Sequence, residues 1–293
     1  MDKHRICVLG GTGFVGRHLM FSLARQGHHL RVLTRRRERH RELLVIPTLE
    51  LVEADIHYVS DLTERFQGCD TVINLTGILN PGAGEANSFE QVHAALPGKV
   101  VEACRFNGIR RLLHMSALGA DPQGPSEYLK SKGRGEAAVT AAADLETTLF
   151  RPSVVFGPGD SFLNRFAAIL RLAPVVPLAS ATTRFAPVYV GDVADAFSHA
   201  LGERATIGRS YDLCGPRVYT LQELVEYTGR TIGRRPWVFG LGPKASRLQA
   251  HAMEYLPGPP LSRDNLASMS QDSVCADNGL EALEIGRASC RER

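Results

Sequence analysis

Tyr128 and Lys132 are the two residues whose types and spacing most directly predict chemistry. They stand four positions apart in Tyr128-Leu129-Lys130-Ser131-Lys132, so on a helix they share one face. An ammonium group beside a phenol favours the phenolate, and we expect it to lower the pKa of Tyr128 towards the range of a general acid or base. Ser116 lies twelve residues earlier, where its hydroxyl could orient a substrate oxygen. These three residues are the predicted catalytic set.

A glycine-rich segment near the start of the chain predicts phosphate binding. It reads Gly10-Gly11-Thr12-Gly13-Phe14-Val15-Gly16, between an apolar run at residues 6–9 and a segment with helical apolar spacing. Gly10 and Gly13 would permit a tight turn and close approach of a pyrophosphate, and Gly16 would let strand and helix pack closely. The N–H groups and positive dipole end of the following helix favour phosphate. The alternative is a glycine-rich turn without a ligand.

The end of the second predicted strand favours a phosphorylated dinucleotide. In NAD-binding units an acidic residue about 20 positions after the glycines bonds the ribose 2′-OH. This chain has Thr34, Arg35 and Arg36 instead, and guanidinium groups suit a 2′-phosphate. We therefore expect NADP(H) as the preferred cofactor and NAD(H) as the alternative. The arginines could also be the solvated start of a basic helix, and Arg39 and Arg41 are predicted to lie on the surface.

Further cofactor-binding candidates follow other predicted strands. Asp55 could hold an adenine amino group, and Gly77 could let the backbone reach the ribose. Both lie at the edge where doubly wound sheets bind ligands, although turn and cap roles fit them equally well. The remaining candidates are Ile56, Leu75, Thr76, Pro152 and Val155 at the same strand ends, with Tyr128 and Lys132 at the nicotinamide ribose.

The elements that must position these residues alternate between short apolar runs and helical patterns. Strands are predicted over residues 6–9, 30–33, 49–52, 71–75, 111–115, 147–152 and 211–215, and a helical pattern covers 87–107 with an interruption at Pro97-Gly98. Asp192 is predicted to cap a helix, and Thr220 and Glu223 form a predicted capping box. The alternation predicts an α/β fold, a Rossmann doubly wound parallel sheet with a smaller C-terminal α/β substrate domain.

The chain is predicted to divide into two functional parts. Residues 1–155, completed by about 185–215, form the expected NAD(P)-binding domain, and 156–283 form mainly a substrate or partner domain. In the latter, the proline-punctuated apolar stretches 236–241 and 253–261 could line a pocket for a quinone or lipid, dock on a partner, or form ordinary core. Residues 284–293 resemble the translation of a sequencing-library adapter and are predicted to be a non-native tail.

The composition is that of an ordinary globular enzyme, with 44% hydrophobic and 22% charged residues over 293 positions. A net charge of +3 is too small to favour a nucleic-acid partner. The six cysteines show no CxxC pair or metal-ligand spacing, which predicts reduced thiols and no metal site. The first strand begins almost at once, leaving no room for a signal peptide, and no apolar run could span a bilayer. We expect a cytoplasmic protein, with peripheral membrane association left open.

These motifs together resemble the short-chain dehydrogenase/reductase superfamily in its extended or atypical branch, the NAD-dependent epimerase/dehydratase-like proteins. The resemblance extends over residues 10–19, 72–77, 113–120, 128–135, 150–159, 187–194 and 211–224. Within that branch the chain looks most similar to relatives of the NADPH-binding accessory subunit of respiratory complex I. The resemblance places Tyr128 and Lys132 on the family's YxxxK pair and Ser116 near its usual hydroxyl. The interval between Ser116 and Tyr128 is shorter than in extended enzymes, and the family's asparagine has no assigned counterpart.

Two functions follow from this resemblance. The favoured one is a protein that holds NADP(H) as a fixed cofactor and has an accessory or assembly role in respiratory complex I or ubiquinone biosynthesis, at the inner face of a membrane. The alternative is an active NADP-dependent oxidoreductase or epimerase that uses the Tyr-Lys pair on a small or hydrophobic substrate. A redox sensor that responds to NADPH occupancy is a third reading, which no sequence feature selects.

Overall fold

The computed structural model describes residues 3–82, 84–173, 175–255 and 261–286. In chain order the strands are β1 (Arg5–Leu9), β2 (His29–Thr34), β3 (Leu49–Glu53), β4 (Thr71–Asn74), β5 (Arg111–Met115), β6 (Glu146–Pro152), β7 (Val155–Phe156), β8 (Val175–Leu178), β9 (Arg184–Phe185), β10 (Val188–Tyr189), β11 (Arg209–Leu213), β12 (Tyr219–Thr220) and β13 (Trp237–Gly240). The helices are α1 (Phe14–Arg25), α2 (Val59–Phe66), α3 (Leu96–Phe106), α4 (Glu127–Thr140), α5 (Phe162–Leu172), α6 (Val190–Gly202), α7 (Leu221–Thr231), α8 (Pro243–Met253), α9 (Arg263–Ser268) and α10 (Gly279–Ala282).

Seven strands form one parallel sheet in the order β11-β6-β5-β4-β1-β2-β3. The chain direction across the sheet reverses between β1 and β4, which is the point where doubly wound sheets open a crevice at their carboxyl ends. All four residues from Ile6 to Leu9 in β1 are fully buried, because helices cover both faces of a parallel sheet. The predicted doubly wound parallel sheet is therefore confirmed.

The core lies in two layers, one on each side of the sheet. On one side α1 and α6 pack together, and Leu19, Leu23 and Phe197 are among the buried residues of that layer. On the other side α2 and α3 pack, with Phe66 and Val100 buried against the sheet. Burying both faces exposes only the strand ends, so the residues after each strand are the ones available to a ligand.

The C-terminal part adds a smaller third cluster. The helices α5 and α7 pack against each other, and the short β8 and β13 pair in parallel beside them. The short strands β9 and β12 pair with each other in antiparallel orientation. The chain also returns to the main sheet, because β11 follows β10 and lies next to β6. The division into a nucleotide domain and a substrate domain stays a prediction.

Two local predictions about helices are wrong, and one is confirmed. Pro97-Gly98 does not interrupt the helical segment, since a π-helix (Glu90–Ala95) runs directly into α3 and Pro97 falls in the first turn, where a missing N–H is tolerated. Asp192 is not the cap of α6, because the helix begins at Val190 with Tyr189 in the N-cap position. The capping box of Thr220 and Glu223 is present at the start of α7.

The cysteines depart from the prediction of reduced thiols. Cys214, directly after β11, and Cys275 form a disulfide across a sequence separation of 61. The free cysteines of the described chain are Cys7, Cys69 and Cys104, and Cys290 lies outside the described residues. Spacing could not reveal the pair, because the chain leaves the sheet after Cys214 and returns with Asn278, whose side chain donates to the Cys214 carbonyl at 2.9 Å.

Two predicted segments fall only partly on described residues. Of the apolar stretch 253–261, residues 256–260 lie outside the described chain. Of the predicted tail 284–293, only 284–286 are described, and Ile285 packs against the sheet core while its N–H donates to the Leu280 carbonyl at 2.8 Å.

Candidate functional site at the carboxyl edge of the sheet

The glycine-rich turn between β1 and α1 has the close packing that its sequence predicts. Gly10 has a φ of +76°, which favours glycine, and a Cβ there would lie 2.9 Å from the Leu75 carbonyl carbon. A Cβ on Gly16 would lie 2.5 Å from the Gly10 oxygen and from the Gly11 Cα. Gly13 is the N-cap of α1 without a side-chain cap, so the first-turn N–H groups are left for an anion.

A cavity of about 620 Å³ opens beside this turn, along the carboxyl ends of β1, β2, β3 and β4. The predicted site residues that line it are Gly10, Thr12, Gly13, Thr34, Arg35, Arg36, Ile56, Leu75, Thr76 and Gly77. Those that do not line it are Gly11, Phe14, Val15, Gly16, Asp55, Ser116, Tyr128, Lys132, Pro152 and Val155. Gly11, Val15 and Gly16 are buried and act through packing, whereas Phe14 is partly exposed and contacts the ring of His18 edge-on.

The β2 end of the cavity is basic. Arg35, Arg36 and Arg39 line it, and none of its described lining residues is acidic. Arg35 donates to the side-chain oxygen of Asn87 at 2.9 Å. Arg39, in a 3₁₀ helix (Arg37–Val45), is exposed as predicted and also lines the cavity. Arg41 is exposed as well and pairs with Glu38.

Asp55 follows β3 as predicted, but its carboxylate is used within its own turn. The side chain accepts the His57 N–H at 3.0 Å, while the Asp55 N–H donates to Asp61 at 2.6 Å. Ala54, Ile56 and His57 line the cavity in its place. Asp55 thus takes part in a turn, and its contact with an adenine amino group stays a prediction.

Lys132 lies at the opposite end of the cavity, next to Gly77. A Cβ on Gly77 would be 3.2 Å from the Lys132 Nζ, which is buried and donates to the carbonyls of Thr76 at 3.4 Å and Met115 at 3.3 Å. Burial lowers the pKa of Lys132 to about 8, against the opposing effect of the Glu136 carboxylate. The ammonium thus lies next to Gly77 and Thr76, which line the cavity, although Lys132 itself does not.

Tyr128 departs from its predicted protonation behaviour. Burial raises the pKa of Tyr128 to about 12, so the predicted lowering by Lys132 is wrong. The Tyr128 ring lies edge-on to the rings of Phe89 and His93, with centroids 5.9 and 5.4 Å away, and the Lys132 ammonium is held by backbone carbonyls. Tyr128 is therefore a proton donor at neutral pH.

Ser116 follows β5 and is almost completely buried, at 3% exposure. Its N–H donates to the Phe150 carbonyl at 2.7 Å, which fixes the residue between β5 and β6. Its hydroxyl has no hydrogen-bond partner among the described residues. A buried hydroxyl without a partner costs stability, and such a group can serve a ligand oxygen.

His93 is the site residue that the sequence analysis missed. Its Nε2 accepts the Ile78 N–H at 3.0 Å, so its Nδ1 carries the proton and donates to the Ser131 hydroxyl at 3.0 Å. Ser131 in turn donates to the Tyr128 carbonyl at 2.8 Å. Burial and the neighbouring Lys132 lower the pKa of His93 to about 2. A single histidine in a helical pattern does not predict a functional role. Only the folded structure could therefore reveal this series of hydrogen bonds.

A second buried histidine lies beneath the same edge. His114 in β5 contacts the Asn74 amide at 3.2 Å, and Asn74 accepts from both the N–H and the hydroxyl of Thr76. Burial, followed by the Lys132 charge, lowers the pKa of His114 to about 3. These contacts hold Thr76, which lines the cavity, in a fixed position.

Pro152 and Val155 lie beyond the cavity, on the side of the sheet that leads to the C-terminal part. The Pro152 carbonyl accepts the Leu118 N–H at 3.0 Å, which ties β6 to the segment after Ser116. Val155 pairs with Val188 in the two-stranded sheet of β7 and β10. Neither residue lines the cavity, and their contact with a cofactor stays a prediction.

Among residues 3–82, 84–173, 175–255 and 261–286, no group of three or more His, Cys, Asp or Glu side chains is arranged to hold a metal ion. No helix within the described ranges combines the length and the apolar character needed to cross a membrane.

A model of the NAD dependent epimerase/dehydratase family matches residues 6–214. The chain is 31% identical over 298 residues to subunit 9 of the mitochondrial NADH dehydrogenase (ubiquinone) 1 alpha subcomplex of Arabidopsis thaliana, covering 95% of this chain and 72% of that protein. It is 31% identical over 238 residues to the 40 kDa subunit of the mitochondrial NADH-ubiquinone oxidoreductase of Neurospora crassa, covering 80% of this chain but only 62% of that protein. A ceramide reductase of Caulobacter vibrioides is 34% identical over 192 residues, 64% of this chain and 58% of the reductase.

Solved structures show the same fold at low sequence identity. A nucleoside-diphosphate-sugar epimerase from Staphylococcus aureus superposes with a TM-score of 0.71 at 16% identity, covering 95% of this chain and 91% of that one. A dTDP-glucose 4,6-dehydratase from Streptomyces venezuelae, solved with NAD, gives a TM-score of 0.68 at 18% identity, covering 80% of this chain and 84% of that one.

Proposed function

The chain belongs to the NAD dependent epimerase/dehydratase family, and on that premise we propose that it binds NADP(H) in the cavity at the carboxyl edge of its sheet. The observation that carries this proposal is the basic end of the cavity, where Arg35, Arg36 and Arg39 meet without an acidic lining residue. A carboxylate there would favour the ribose 2′-OH of NAD(H), whereas guanidinium groups favour a 2′-phosphate.

Further support for a bound dinucleotide comes from the glycine-rich turn and from the neighbourhood of Gly77. Gly10 leaves the space that a Cβ would fill beside Leu75, and the uncapped start of α1 would take the pyrophosphate. At the other end, the Lys132 ammonium beside Gly77 would hold the nicotinamide ribose.

Binding of NADPH and NADH, measured side by side by titration calorimetry, tests the cofactor. We expect tighter binding of NADPH, and Arg36→Ala should weaken NADPH roughly tenfold, as for the loss of one charge-assisted hydrogen bond, while leaving NADH nearly unchanged. Arg41→Ala is the matched control, because Arg41 is exposed and outside the cavity lining. Equal affinities, or an equal loss of both nucleotides in Arg36→Ala, would contradict the preference for NADP(H).

For the cellular role we propose an accessory or assembly function in respiratory complex I or ubiquinone biosynthesis, from the cytoplasmic side and peripheral to a membrane. The support comes from the relatives that are named as complex I subunits, one of which aligns with 95% of this chain. The exchange rate of bound nucleotide tests this role. Nucleotide that copurifies and exchanges only over hours, together with cofractionation with respiratory membranes, is expected. Exchange within seconds in a protein absent from membranes would contradict it.

One observation favours a second function, an NADP-dependent reductase or epimerase acting on a small or hydrophobic substrate. The Ser116 hydroxyl lacks a protein partner, and Tyr128 keeps its proton at neutral pH. With the reduced nicotinamide supplying hydride, Tyr128 would donate the phenolic proton to a substrate carbonyl oxygen that Ser116 orients. Tyr128→Phe should then abolish turnover of a ketone substrate but spare NADPH binding, whereas retained turnover would rule out this role for Tyr128.

A further inference from the structure

The two-stranded ribbon of β8 and β13 has an exposed apolar face. The strands pair with Val175 opposite Trp237 and Pro177 opposite Phe239. The alternate residues Val176, Leu178 and Val238 are buried in the third core cluster. The two facing pairs, Val175 with Trp237 and Pro177 with Phe239, therefore project to the other side of the ribbon. Trp237 is 69% exposed, which is an unusual position for so large an apolar side chain.

Neighbouring elements carry further exposed apolar residues. The side chain of Gln249 in α8 donates to the Pro177 carbonyl at 2.7 Å, so α8 lies beside β8. Lys244, Arg247 and Leu248 occupy one exposed stripe of that helix, with Leu248 at 70% exposure. Leu172, the last residue of α5 and close to the start of β8, is 89% exposed. We call Leu172, Val175, Pro177, Trp237, Phe239 and Leu248 the ribbon surface.

The chain segments that carry the ribbon surface are basic, and the acidic residues Glu226 and Glu254 stand at their borders. Residues 227–253 contain Arg230, Arg234, Arg235, Lys244 and Arg247 but no aspartate or glutamate, and residues 161–182 likewise contain no acidic residue. Over the whole chain the two signs are nearly balanced, with 34 Lys and Arg against 31 Asp and Glu. The excess of positive charge is therefore a local property of this region and does not follow from the overall composition.

We propose that the ribbon surface binds the anionic face of a lipid bilayer. Tryptophan and phenylalanine favour the interfacial region, where an apolar body contacts acyl chains while polar groups stay hydrated. The flanking basic groups match anionic headgroups, each adding about fivefold to binding. This inference deepens the proposed peripheral membrane location and is independent of nucleotide binding.

Trp237 is the only tryptophan of the chain, so its fluorescence reports this contact directly. The full chain is mixed with vesicles of phosphatidylcholine, with or without an equal share of phosphatidylglycerol. We expect a blue shift, protection from aqueous acrylamide, and quenching by brominated lipids only with the anionic vesicles, and release at high salt. An unchanged Trp237 spectrum with anionic vesicles would overturn the proposal and leave the surface to a protein partner.

Cosedimentation of variants with the same vesicles identifies the residues. Arg234→Gln with Arg235→Gln should bind roughly 25-fold more weakly, and Trp237→Ser with Phe239→Ser should bind at least tenfold more weakly. The controls are Arg204→Gln with Arg209→Gln, two exposed arginines elsewhere, and Phe106→Ser, which is 78% exposed on α3. Equal losses in controls and test variants would overturn the proposal. NADPH binding of every variant is measured in parallel, so loss of lipid binding with retained NADPH binding separates the two proposals.

Discussion

The Lys132 ammonium lies 3.2 Å from the position that a Cβ would take on Gly77, and this approach joins the predicted catalytic helix to the cavity. Two backbone carbonyls accept from Lys132 in its buried position. A methyl group at Gly77 would therefore shift the ammonium by a few tenths of an ångström and disturb these hydrogen bonds.

Gly77→Ala should weaken NADPH binding about tenfold, since the new methyl group displaces Lys132 and occupies the cavity lining. The free energy of unfolding should change by less than about 1 kcal/mol. Calorimetric titration and urea unfolding measure the two effects. Gly242→Ala is the control, because a Cβ there meets no atom within 4 Å. Unchanged NADPH affinity in Gly77→Ala would show that the dinucleotide does not reach the part of the cavity that Gly77 lines.

Acid should destabilise the protein through His93 and His114. Burial is the largest cause that lowers their pKa values, to about 2 and about 3, from 6.5. The unfolded state therefore takes up protons first, and stability falls as the pH falls from 6.5 towards these values. Near pH 4 each histidine should cost about 3 kcal/mol.

Urea unfolding at a series of pH values measures this loss. His114→Asn should be less sensitive to acid than the native chain, whereas the exposed His251→Asn should follow the native curve. Parallel curves for all three proteins would contradict the assignment to buried histidines.

Lys132 should act in the same direction, but at alkaline pH. Burial lowers its pKa to about 8 from 10.5, so the folded state loses this proton before the unfolded state does. The native chain therefore gains stability from this group as the pH rises from 8 to 10.5, by about 3 kcal/mol. Comparison with Lys132→Met removes the contributions of other groups. The advantage of Lys132→Met over the native chain should shrink across this interval, and a constant difference would contradict the buried charge.

Gly16→Ala should destabilise the fold by about 2 kcal/mol or more, because the new Cβ would lie 2.5 Å from backbone atoms of Gly10 and Gly11. Gly98→Ala offers a matched contrast inside α3. A Cβ there meets nothing within 4 Å, and alanine favours a helix over glycine by about 1 kcal/mol. Thermal and urea unfolding should thus both show a lower stability for Gly16→Ala and a higher stability for Gly98→Ala. Destabilisation by Gly98→Ala would indicate contacts that the structure does not show.

Cys275→Ser should reduce the free energy of unfolding by about 4 kcal/mol, since the disulfide with Cys214 closes a loop across 61 positions. The native protein in excess dithiothreitol should show the same loss. Cys69→Ser, at a partly exposed free thiol, is the control and should change little. Peptide mapping without reduction that finds Cys214 and Cys275 as free thiols would contradict the assignment.

The parallel sheet and the glycine-rich turn after β1 were predictable from the sequence. Buried parallel strands need continuous apolar runs, and only glycine fits the conformation of Gly10 and the close approach at Gly16, so both leave a local pattern. The capping box of Thr220 and Glu223 was likewise readable, because it closes within three residues.

Features that depend on burial or on contacts between distant segments could be identified only in the folded structure. The spacing of Tyr128 and Lys132 predicted a lowered tyrosine pKa, but burial of the phenol raises it. His93 joins this pair from the preceding helix, and Cys275 reaches Cys214 only after the chain has returned to the sheet. Local sequence fixes the direction of the chain and its periodicity, whereas dielectric environment and long-range contacts exist only once the layers have packed.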